Sequence, residues 1–191
     1  MKKIKEFLIK NEYKILIVVL FVVSVTSFLW FANNGYLTSY MDSTSHLNIA
    51  RRIWDNKTPG IAQLGSAWLP LLHILLVPLT FNDYLYRSGI AGYLINGPAY
   101  IGASIIMYKL LKRISSGHFA VPVMFTALFA LNPNILYFQS IAMGEMLFIF
   151  TSLASIYYIY KYFEDNLQIG HLIGASIFIN LIPRGSATSS I

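Results

Sequence analysis

The sequence predicts an all-α fold: a polytopic transmembrane helix bundle with an amphipathic helix and a re-entrant loop on one face. Three observations predict it. Of the 191 residues 56% are apolar and only 12% are charged, whereas soluble domains run at about 25% charged. The apolar residues fall in long uncharged runs near the roughly 20 residues that cross a bilayer core. The charges gather at the ends of those runs. The net charge of +6 therefore reads as membrane orientation rather than as a nucleic-acid interface, which needs a basic face on a soluble domain. Cysteine is absent, which excludes disulfides and thiolate chemistry.

Each span has its own signal. Residues 15–32, "ILIVVLFVVSVTSFLWFA", carry no charge and are read as an anchor, because no small-residue cleavage pattern follows. Residues 88–108 form a second uncharged span whose Gly and Ala content suits close helix packing. Residues 115–131 form a third, broken by "NPN" at 132–134, since proline disfavours helix in the residue before it. Residues 142–160 form a fourth and 167–182 a fifth. The spans and the external loop 33–87 make one membrane unit over residues 1–182. The tail 183–191, from "PRGS" onward, reads as non-native or truncated sequence.

Lys and Arg set the orientation. Lys2, Lys3, Lys5, Lys10 and Lys14 precede the first span; Lys109, Lys112 and Arg113 follow the second; Lys161 follows the fourth. All face the cytoplasm if the segment 66–81, "SAWLPLLHILLVPLTF", does not cross. With Pro70, His73 and Pro78 inside it, that segment is read as a re-entrant or interfacial helix. Arg51, Arg52 and Arg87 then lie outside, against the usual bias.

The stretch "MDSTSHLNIARRIWD" at 41–55 is too short and too charged to span. At 3.6 residues per turn, His46, Leu47, Ile49, Ala50, Ile53 and Trp54 fall on one side; Thr44, Asn48, Arg51, Arg52 and Asp55 fall on the other. Such a helix lies flat on a membrane surface. Asp42 projects onto the apolar side, where a raised pKa would suit a general base. Its residue type and position equally fit a helix cap. His46 is read first as an interfacial side chain with a wet tip. Arg51 and Arg52 suit a phosphate, and equally lipid head groups or an i,i+4 pair with Asp55. Gln63, Trp68 and His73 offer polar and aromatic contacts, and Trp68 also fits an ordinary aromatic belt. Arg87 meets a lipid phosphate or anchors its helix. Glu145, about one turn inside the fourth span, is costly in lipid and is expected to face the bundle interior or a cavity. No metal-ligand spacing or phosphate-binding Gly loop occurs.

"DSTSHLNIARRIWDNKTPGIAQLGSAWLPLLHILLVP" and "LNPNILYFQSIAMGEMLFIF" together resemble the N-terminal part of a GT-C type membrane glycosyltransferase. The chain is similar there to the protein-O-mannosyltransferase and aminoarabinose-transferase group, over roughly residues 12–182. The resemblance implies transfer of a sugar from a polyprenyl-phosphate donor to an acceptor hydroxyl on the extracytoplasmic face of the cell membrane. Asp42 matches the first-loop acid that serves as base or orients the acceptor, and Glu145 matches a later acid. Arg51, Arg52 and Arg87 are candidates for the donor phosphate by position; His46, Gln63, Trp68 and His73 are candidate substrate contacts. The partners implied are the lipid-linked donor, membrane lipids and an acceptor whose identity the resemblance does not give. Many relatives carry two adjacent acids where this chain has Asp42-Ser43, so a divalent metal has no support from the residues. Relatives also continue for several more spans, so the chain is expected to be an incomplete fragment. The alternatives are a non-catalytic membrane subunit or gene remnant, and a small transporter. A transporter would place its ionisable groups near the midplane, often with repeat symmetry.

Overall fold

The computed structural model describes residues 11–64, 70–115 and 118–181. Trp68 and the tail 183–191 lie outside the described residues, as do Lys2, Lys3, Lys5 and Lys10. Among the described residues every regular element is helical: α1 (Glu12–Asn33), α2 (Met41–Arg52), α3 (Pro70–Thr80), α4 (Asp83–Ser88), α5 (Ile90–Ile114), α6 (Ala120–Ala130), α7 (Pro133–Phe138), α8 (Glu145–Glu164) and α9 (Ile169–Leu181), with a 3-10 turn at Ile61–Leu64. Three of these, α1, α5 and α8, are long and apolar enough to cross a membrane.

Helix α5 is the centre. Its buried face carries Ala91, Gly92, Ala99, Ala103 and Ser104, small residues that let neighbouring backbones approach. Helix α1 lies antiparallel to it. Phe28 stacks on Tyr93 at 3.9 Å near one end, and Tyr13 meets Tyr108 edge-on at 6.0 Å near the other. Helix α8 runs parallel to α5, with Phe150 against Gly102 and an Arg113–Glu164 ion pair. Helix α9 folds back on α8 through Phe178, which stacks on Tyr158 at 5.7 Å. The bundle therefore has two ends. One holds Asn33, α2, α4 and Ile90; the other holds Glu12, Ile114 and Glu164. Lys14, Lys109, Lys112, Arg113 and Lys161 all belong to the second.

Helix boundaries follow local chemistry. The Asn82 side chain accepts from Tyr84 N and Leu85 N and so caps α4. Gly89 ends α4 and starts α5 with φ +78°, a left-handed conformation, while Leu37 and Thr38 crowd the place of a Cβ at 3.0–3.2 Å. Asn132 caps α7 by accepting from Asn134 N and Ile135 N, with Pro133 at its first turn. The expected third span, 115–131, is α6, and it ends at Ala130 just before the expected break at 132–134. Helix α6 has only 11 residues, about 16 Å, and the chain continues upward as α7. Tyr100, midway along α5, donates its OH to Ala130 O at 3.0 Å, so the exposed residues Asn132, Pro133 and Asn134 follow α6 near mid-height of the bundle. The expected fifth span is a helix of 13 residues.

Between α7 and α8 the chain is not helical, yet Gln139, Ser140, Ile141 and Ala142 have no exposure and Met143 only 5%. Buried main-chain groups need partners, and polar side chains supply them. Asn96 Nδ2 donates to Ile141 O at 2.7 Å and to Met143 O at 2.8 Å. Ser43 Oγ accepts from Ala142 N at 3.1 Å. Gln139 anchors the same segment to α1: its Oε1 accepts from Ser24 Oγ at 2.7 Å, and its Nε2 lies within 3.1 Å of Ser24 O and Ser27 Oγ. A methyl group at Gly92 would overlap the Ala142 nitrogen. Hence α8 begins at Glu145, three residues later than the sequence pattern suggests.

Replacing Asn96 by Leu removes a donor from each of two buried carbonyls and leaves Ile141 O with Met143 N alone at 2.9 Å; it is expected to destabilise the bundle by about 3 kcal/mol. Gly92→Ala is expected to cost at least as much by displacing the segment, whereas Gly144→Ala, with open space around it, is expected to be near neutral. Thermal unfolding in detergent checks all three.

Candidate functional site

Helix α2 crosses the end of the bundle with the faces its periodicity assigns. Ser43, His46, Leu47 and Ala50 are buried, and Asn48 and Arg52 are exposed. Asp42 is half-buried in the first turn. It does not cap the helix: Tyr40 occupies that position and no side chain bonds the free N–H groups. The Asp42 carboxylate faces His46 electrostatically and gains from the positive end of the helix dipole.

His46 is no wet tip. It is 7% exposed and His73 is fully buried, with 2.8 Å between His46 Nδ1 and His73 Nε2. Helix α3, with 11 residues, is too short to cross a bilayer, and this pair fastens it to α2. Its opposite side, including Ile74 and Leu75, is exposed and apolar. At 2.8 Å one ring must donate and the other accept, so at least one imidazole is neutral. Burial pushes both rings below the ordinary histidine pKa, opposed at His46 by Asp42 and reinforced at His73 by His46; His73 is held at about 4.

The polar face of α2 meets α4. Arg51 Nε donates to Asp55 at 2.7 Å, and its Nη1 pairs with Asp83. The guanidinium lies 4.4 Å from the Tyr86 ring centre and 5.1 Å from that of Trp54. Arg51 keeps the Asp83 carboxyl below its usual range, chiefly through the hydrogen bond. Tyr86 OH donates to Asn48 Oδ1, and Trp54 Nε1 donates to Thr80 Oγ1 at 3.1 Å. Arg51 is thus a clasp between helices, with its charge already matched. Arg52 and Arg87 have no carboxylate hydrogen-bonded to them among the described residues.

Two adjoining clefts open on this face. One, of 350 Å³, lies among Thr38, Thr44, Leu47, Asn48, Tyr86 and Arg87. The other, of 340 Å³, lies among Asn48, Arg51, Arg52, Asp55 and Tyr86. Asn48 and Tyr86 form the shared wall. The structure thus brings Arg51, Arg52 and Arg87 together, and does not bring Asp42 or Glu145 into either cleft. Asp42 is nine residues before Arg51, about 14 Å along the helix; Arg87 shares its cleft with Thr44, two residues on from Asp42. Gln63 turns back on its own loop and donates to Thr58 O at 2.9 Å. Glu145 is the first residue of α8, and its Oε2 is buried without a hydrogen-bond partner among the described residues. No group of three or more metal-ligating side chains is assembled among the described residues.

Sequence reasoning missed Ser43, Asn96 and Gln139, which hold the segment beneath α2. Their signal was polarity inside apolar runs. No family model, curated protein or solved structure matches the chain.

The histidine pair has a measurable consequence. A buried imidazole with a lowered pKa takes up its proton later than in the unfolded chain. Its contribution is therefore complete above pH 6.5 and is lost as the pH falls from there toward about 4. One such ring costs about 2 kcal/mol of stability by pH 5. Melting temperatures in detergent are expected to drop between pH 7 and pH 5, and His73→Gln to reduce that slope by about half; an unchanged slope would remove the pair as its source.

Proposed function

We propose that this chain is the N-terminal membrane part of a transferase that moves a sugar from a polyprenyl-phosphate donor to an acceptor hydroxyl. The observation that carries the reading is the cleft pair beneath Arg52 and Arg87. Two cations with no carboxylate hydrogen-bonded to them among the described residues sit at one end of a bundle of spanning length, although Asp83 feels the charge of Arg87. A lipid-borne phosphate suits both the cations and the spanning bundle. The resemblance of residues 12–182 to GT-C transferases supplies the sugar and the reaction.

The second end of the bundle carries Lys14, Lys109, Lys112, Arg113 and Lys161, which favours a cytoplasmic placement for it and an extracytoplasmic one for α2. Helix α3 then enters the membrane from outside as the re-entrant element. In the reaction, the acceptor hydroxyl gives its proton to the Asp42 carboxylate. Its oxygen bonds to the anomeric carbon as the bond from that carbon to the phosphate oxygen breaks. The electron pair leaves with the polyprenyl phosphate, whose charge Arg87 and Arg52 stabilise. Arg87 is the cation on the Asp42 side. Arg51 holds α4 in place, and Glu145 is a second acid, at the start of α8.

One observation favours a second reading. Asp42 lines neither cleft, and the same cations would hold a lipid phosphate in a subunit that performs no transfer.

Donor binding and transfer separate these. With a labelled polyprenyl-phosphate sugar in vesicles, Arg52→Gln and Arg87→Gln are each expected to weaken donor binding about tenfold. Asp42→Asn is expected to retain binding and lower turnover about a hundredfold or more. Binding without turnover in the unaltered protein would favour the subunit; donor binding unchanged in both arginine variants would end the reading.

A further inference from the structure

The opposite end of the bundle holds a cleft of 620 Å³ between α1, α5 and α8 that the transfer reaction does not use. Its floor is apolar, formed by Ile17 and Ile105, and its rim is cationic, formed by Lys109, Lys112 and Arg113. Aromatic rings fix the rim. Lys109 Nζ lies 5.8 Å and Lys112 Nζ 5.4 Å from the Tyr13 ring centre, and the Arg113 guanidinium lies 5.6 Å from that of Tyr157. Two carboxylates answer three cations: Glu12 pairs with Lys112 and Glu164 with Arg113. Lys109 has no carboxylate partner among the described residues.

We propose that this cleft binds one anionic phospholipid, its phosphate at Lys109 between the two tyrosines and one acyl chain along Ile17 and Ile105. The charge argument requires an anion, because one cation of the rim is unmatched. The floor requires that the anion carry an apolar chain. The place also fits: the cleft opens where spanning helices end, at the depth of a head group, and basic pockets between helices there take anionic lipids. The site stands without the sugar-transfer reading and needs only that the bundle sits in a bilayer.

Native mass spectrometry of the delipidated 191-residue protein, titrated separately with phosphatidylglycerol, phosphatidylcholine and inorganic phosphate, tests it. Phosphatidylglycerol is expected to be retained in preference to phosphatidylcholine. Lys109→Gln is expected to weaken that retention about fivefold. Ile105→Trp, which fills the floor and leaves the charges, is expected to weaken it too. Lys161→Gln, at the same end but paired with Asp165 at 3.4 Å, serves as the control and is expected to change nothing. Equal retention of both lipids, displacement by millimolar phosphate, or a Lys109→Gln effect no larger than the control would each overturn the proposal.

Discussion

The Asn96 side-chain amide, set between the carbonyls of Ile141 and Met143, is the interaction on which the remaining architecture rests. An unwound segment in the interior of a bundle of spanning helices survives only if its main chain finds donors and acceptors there. Asn96 supplies the donors, Ser43 the acceptor, and Gly92 the room. Because Ser43 belongs to α2, the same few bonds that tolerate the break also seat α2 on the bundle. The position of the arginine-bearing face is thereby tied to the path of residues 139–143.

The α2 end is assembled by two fasteners of different character. The His46–His73 pair is buried and neutral, and holds α3 under α2. The Arg51–Asp83–Tyr86 cluster is charged and open, and holds α4 beside it. Between them the helix keeps a free polar edge at Asn48 and Arg52. The division gives each arginine its own physical role: Arg51 is hydrogen-bonded to carboxylates within the protein, while Arg52 and Arg87, the latter near enough to act on Asp83, have none hydrogen-bonded to them among the described residues. Residue type alone does not separate them.

The spanning character of α1, the amphipathic sidedness of α2 and the break at Asn132-Pro133-Asn134 were legible because each is written within a single turn or period. Arg51–Asp55 was legible for the same reason, being an i,i+4 pair. Arg51–Asp83 and His46–His73 were not, since they join residues 32 and 27 positions apart. The start of α8 was misplaced because periodicity runs through Ala142 and Met143 without interruption, and only the tertiary bonds of Asn96 hold those residues out of the helix. The loss of Asp42 from the clefts was illegible as well: helical projection places a side chain around an axis but does not say how far along it a neighbouring cavity opens.

The exposed turn at Asn132–Asn134 bears on what surrounds the bundle. It follows Ala130, which lies at the level of Tyr100, midway along α5. Asn132 spends its oxygen on capping α7, while its amide hydrogens and the Asn134 side chain have no protein partner among the described residues. Carboxamides facing acyl chains cost several kcal/mol each, a penalty that a marginally stable bundle does not sustain. In a bundle immersed over its whole length, that flank calls for water or protein rather than acyl chains beside α7.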